Sequence, residues 1–116
     1  MSEVPDEDDW IAALLPRFLE LTAERLIKIE VEQRSLRSKH TCDQAILEIG
    51  SITHKIVGTA GNFGFHALGD AATKAEEACK CVQKPQAPAM DSDCLYIIQA
   101  KINRLIEEMR LVLARR

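Results

Sequence analysis

Aromatic residues are scarce in this chain of 116 residues: three phenylalanines, one tryptophan and one tyrosine make up 4% of it. Proline and glycine are few as well, at four and five. Strands rich in aromatic and β-branched side chains are therefore hard to find, and a sheet protein is not expected. No apolar run approaches the roughly 20 residues needed to cross a bilayer. The opening segment, Met1 to Asp9, is acidic where a secretory leader would be basic and then apolar. No membrane contact is expected, and a cytoplasmic location follows. An excess of positive charge is also missing. The formal net charge of -3 supplies none of the basic field on which nucleic-acid binding relies, so nucleic acid is not an expected partner.

What is present is the composition of an ordinary soluble domain, with 47% apolar and 28% charged residues. The length suits one core, so residues 1–116 read as a single domain. The ends, Met1 and Arg115-Arg116, suit a free-standing protein. Cys42, Cys79, Cys81 and Cys94 contain no pair of C-x-x-C units. Three of them sit in or beside apolar helical patterns, as small reduced thiols do. No histidine or cysteine pair has the spacing that structural metal sites favour, so no metal site is expected.

Helical periodicity dominates. Acidic residues up to Asp9 precede Trp10, Ile11 and Leu14, which reads as a short first helix with carboxylates at its N-terminus. Pro16 lacks an amide donor and suits the first turn of a new helix. Phe18, Leu19, Thr22, Leu26 and Ile29 would be its buried positions, with an end near Ser35 or Leu36. From Asp43, the set Ile46, Ile49, Thr53, Ile56, Ala60 and Phe63 recurs at steps of three and four, and Gly64 stops the run. A further stripe holds Phe65, Leu68, Ala72, Ala75, Cys79 and Val82. The segment Lys84 to Ala89, with two prolines, marks a loop, after which Asp91, Ser92 or Asp93 can cap a last helix with Leu95, Ile98, Ile102, Leu105, Met109 and Val112 facing inward. The expected fold is all-α: an antiparallel up-and-down four-helix bundle with a short additional N-terminal helix.

His54 stands apart from this pattern. At about 100° per residue it projects roughly 130° from the centre of its helix's apolar stripe, toward solvent or a flank of the bundle. Gly50, Gly58 and Gly61 fall at four before, four after and seven after it, on the same side of the helix. Three glycines within one helix cost about 0.5 to 1 kcal/mol each relative to alanine, so something must need that surface cleared. Close approach of a bulky partner to the backbone, leaving one imidazole protruding, is one reason. Close packing against another helix of the same bundle is the alternative.

The run from His54 to Gly64, HKIVGTAGNFG, has a histidine followed four and ten residues later by glycine. It resembles the motif of histidine phosphotransfer (HPt) domains, and its Phe63-Gly64-Phe65 ending is similar to the phosphotransfer domain of chemotaxis histidine kinases. The resemblance implies a four-helix bundle whose histidine, here His54, accepts a phosphoryl group on one ring nitrogen and exchanges it with an aspartate of a response-regulator receiver domain. A sensor or hybrid histidine kinase is the other implied partner, and magnesium would arrive with the receiver. The chain itself would be a phosphohistidine carrier without kinase catalysis, and a monomer is expected. In the family a polar residue on the next helix often bonds the other ring nitrogen; aligned at Gly64, that position is Glu76, although an Ala-Glu-Glu-Ala run would equally present a solvated acid.

One departure from the family stands out. A lysine usually follows the histidine by three residues, but this chain has Val57. Lys55 points about 100° away around the helix. Lys80, one turn after Glu76 on the same flank, is the candidate replacement cation, with an ordinary surface lysine as the alternative. The docking face would comprise Gly50, Lys55, Val57, Gly58 and Gly61. The missing lysine also raises a second function, a non-catalytic helical module that binds receivers without efficient transfer.

Overall fold

The computed structural model describes residues 7–83 and 92–115 and holds four α-helices and one short 3-10 turn. Helix α1 spans Glu7–Ser35, α2 Cys42–Ala60, α3 His66–Gln83 and α4 Ser92–Ala114, with the 3-10 turn Gly61–Phe63 closing α2. Each helix packs on the next, and α4 closes the ring against α1. The all-helical bundle expected from the periodicity is therefore present. Loop Lys84–Ala89 and the capping candidate Asp91 lie outside the described residues.

The separate short N-terminal helix is not. Residues on both sides of Pro16 form one helix of 29 residues with the proline inside it. Proline removes one intrahelical bond, to the carbonyl of Ala12, but Ala12 and Pro16 are both exposed, so water can take that carbonyl. Tertiary contacts hold the early turns in line. The Trp10 ring stacks on Phe63 with centroids 6.2 Å apart, and Phe18 stacks on both Phe63 and Phe65, at 4.6 and 5.5 Å. That aromatic cluster ties the start of α1 to the end of α2.

The buried stripes follow the sequence pattern. Ile46, Ile49, Thr53, Ile56 and Ala60 line the inner face of α2, and Leu68, Ala72, Ala75 and Cys79 that of α3. Ile98, Ile102, Leu105, Met109 and Val112 do the same on α4, with Phe18, Thr22 and Ile29 from α1. The buried threonines are tolerated because their hydroxyls donate to carbonyls of their own helices, Thr22 to Phe18 and Thr53 to Gly50. Cys42, Cys79 and Cys81 are free thiols, and Cys42 and Cys79 are buried.

Gly64 ends the α2 segment for a backbone reason. Its φ of 80° is left-handed, which costs glycine nothing. The Gly64 amide donates to the Gly61 carbonyl and the Phe65 amide reaches back to the Ala60 carbonyl, the bond pair of a Schellman cap. This cap turns the chain sharply, so α3 runs back along α2 and its middle turns face those of α2.

Candidate functional site

His54 lies midway along α2, flanked in sequence by core positions Thr53 and Ile56 that fix the helix's rotation. Ile52, Thr53 and Ile56 together take the inner face of α2, which turns His54 outward, and its side chain is 74% exposed. Across the α2–α3 seam stands Glu76, whose side chain is only 11% exposed. Burying a carboxylate requires partners, and Glu76 has two on one oxygen. Its Oε2 lies 2.6 Å from His54 Nδ1 and 3.6 Å from Lys80 Nζ.

The polarity of this contact follows from the groups involved. A carboxylate only accepts hydrogen bonds, so Nδ1 carries the proton and donates. In the neutral form of such a ring the lone pair is on Nε2, the nitrogen that Glu76 does not engage. An anchored, tautomer-fixed imidazole with an open second nitrogen can act as a nucleophile or a base toward a group arriving from solvent.

The surroundings form an open groove of about 330 Å³, lined by Leu47, Gly50, Ser51 and His54 from α2 and by Glu76, Cys79 and Lys80 from α3. Cys79 is fully buried, and burial, with the nearby Glu76 carboxylate adding to it, pushes its thiol up to about 11. It stays protonated at neutral pH and serves as apolar floor rather than nucleophile. Gly58 and Gly61 lie on the other side of His54. A Cβ built on either meets nothing within 4 Å. Close packing within the bundle is thus not what these two glycines provide; they leave bare, accessible backbone beside the imidazole.

The structure brings His54, Glu76, Lys80 and Gly50 into one groove and keeps Gly58 and Gly61 along the exposed continuation of α2. Lys55 is exposed, off the groove. Val57 is half-buried and packs against the core, so it borders the face more than it projects from it. His40 and His66 are exposed and take no part. Two groove residues escaped the sequence reading, Ser51 and Leu47. They precede His54 by three and seven positions, the same helical spacing that singled out the glycines. Among the described residues no group of three His, Cys, Asp or Glu side chains is placed to hold a metal ion, and no helix is long and apolar enough to cross a membrane.

A family model described as Hpt domain matches residues 13–111, most of the chain. No curated protein and no solved structure matches it at a significant level. With the matched region covering all but the outermost turns of α1 and α4, the chain belongs to the Hpt domain family, the histidine phosphotransfer modules of phosphorelays, which are phosphocarriers and not kinases.

Proposed function

We propose that His54 is the phosphoryl carrier of this Hpt domain, taking the group on Nε2 and exchanging it with the aspartate of a response-regulator receiver domain. The observation that carries this reading is the 2.6 Å contact between Nδ1 of an exposed ring and a buried carboxylate. In the transfer, the Nε2 lone pair forms the N–P bond as the bond from phosphorus to the aspartyl oxygen breaks, releasing the receiver's carboxylate. The ring becomes positively charged, and Glu76 stands where that charge develops. Lys80 brings a positive charge to the same groove, where the family's usual lysine is replaced by Val57. Magnesium enters with the receiver, and a sensor or hybrid histidine kinase supplies the phosphoryl group upstream. The bare backbone at Gly58 and Gly61 gives the receiver room to bring its aspartate into line with Nε2, a geometry that phosphoryl transfer demands.

The test is replacement of the nucleophile. A phosphorylated receiver should transfer acid-labile label to the wild-type chain, whereas His54→Gln should take none. Normal labelling of that variant excludes His54. The absence of a lysine at position 57 favours a second reading, in which the domain docks receivers without accepting the group. Tight binding of a phosphorylated receiver with no movement of label would establish that reading instead.

A further inference from the structure

The groove around His54 is chemically lopsided. Every side chain that lines it from α2 stands at or before His54, and every one from α3 stands at or after Glu76. Since the two helices run in opposite directions, all of these lie on the same side of the imidazole, toward the N-terminus of α2. On the other side, Gly58 and Gly61 contribute no side chain and Val57 packs inward. One half of the face carries polar chemistry and the other is bare.

Two groups in the polar half are available. The hydroxyls of Thr22, Thr53, Thr59 and Thr73 each donate to a carbonyl of their own helix, as helical hydroxyls commonly do. The exposed Ser51 hydroxyl, one turn before His54, makes no hydrogen bond among the described residues. Lys80 holds Glu76 loosely, at 3.6 Å, with its side chain 64% exposed. With the ammonium end in solvent and the separation long, the pair holds Lys80 weakly although the carboxylate is buried. A phosphoryl group carries nearly twice the charge of a carboxylate, so an ammonium beside both gains by turning to the phosphoryl oxygens. Gly50, in the same turn as Ser51, puts no side chain in the way.

We propose that the phosphoryl group on His54 lies in this upstream half of the groove, with Ser51 donating a hydrogen bond to one of its oxygens and Lys80 leaving Glu76 to pair with the others. The proposal rests on His54 being the carrier. It divides the face into two tasks: the polar side holds the group, and the glycine side is left to the protein partner. It also gives the cation a different origin from the family's usual one, α3 rather than the next turn of α2.

Phosphoramidate, a small donor that needs no docking surface, separates the two tasks. The Nε2 lone pair attacks phosphorus, the donor's P–N bond breaks, and its nitrogen leaves as ammonia. Initial rates of His54 labelling should fall at least fivefold in Ser51→Ala and in Lys80→Met, and be retained in Lys80→Arg. Lys74→Met removes the same charge from α3 at a lysine paired with Asp70, and should label like wild type. Ring-nitrogen NMR of Lys80→Met should still show the proton on Nδ1. Wild-type labelling rates in both Ser51→Ala and Lys80→Met would overturn the proposal while leaving His54 as carrier. So would a lost Nδ1 proton in Lys80→Met, since Lys80 would then act only by orienting Glu76. A wild-type chain that takes label neither from phosphoramidate nor from a phosphorylated receiver would overturn the carrier reading, and this proposal with it.

Discussion

At the scale of single residues, the pairing of an exposed imidazole with a buried carboxylate is what distinguishes His54 from His40 and His66. Hydrogen bonds to charged groups contribute about 1.5 to 3 kcal/mol, which corresponds to roughly ten- to a hundredfold in rate if the bond is fully used in transfer. Glu76→Ala should therefore slow phosphorylation of His54 by about that factor, with the helical circular dichroism unchanged; an unaltered rate would take Glu76 out of the mechanism. Glu76→Gln keeps an acceptor for Nδ1 and should fall between. At Glu76 helical spacing and residue type disagree. Four after Ala72 and three before Cys79, it falls on the buried stripe of α3, but a carboxylate is not an ordinary core residue, and only alignment at Gly64 within the family motif selected it. Ser51 too has a position readable from helical spacing, and its chemistry becomes apparent only with Lys80 in the same groove.

At the scale of elements, α2 gives up helix propensity at a glycine that leaves its backbone bare. Gly58 is exposed, in the helix interior, and a Cβ there meets nothing. Gly58→Ala should raise stability by about 0.5 to 1 kcal/mol through helix propensity alone, read from the midpoint of urea unfolding. Gly58→Arg should also fold but bind a receiver at least tenfold more weakly, because its side chain fills the space the glycine leaves. Unchanged receiver affinity in Gly58→Arg would show that the partner does not approach there. Helices α2 and α4 were legible because each has a continuous buried stripe at steps of three and four, from Ile46 to Ala60 and from Ile98 to Val112. The reading failed at Pro16, where local chemistry favours a helix start. Continuity of α1 depends on Trp10 stacking on Phe63, more than 50 positions away in the chain, and such a contact leaves no local trace.

At the scale of the whole molecule, the bundle acts as a rigid mount: the buried faces of α2 and α3 set the rotation of both helices and so the meeting of His54 and Glu76. That core carries its own titration. The Cys79 thiol, raised by burial from the ordinary 9.0 to about 11, stays neutral in the fold after the unfolded chain has ionised. Its contribution to stability is fully present below pH 9.0 and is lost as pH rises toward about 11. A decline in unfolding free energy on the order of 2 kcal/mol should appear over that window and be flatter in Cys79→Ala; parallel profiles would exclude Cys79 as its source. The relay itself is tested most directly by long-range proton–nitrogen NMR of the His54 ring before and after phosphorylation. The free ring should carry its proton on Nδ1 and the phosphorylated ring its phosphorus on Nε2. A phosphoryl group on Nδ1 would contradict the arrangement, because Glu76 occupies that side of the imidazole.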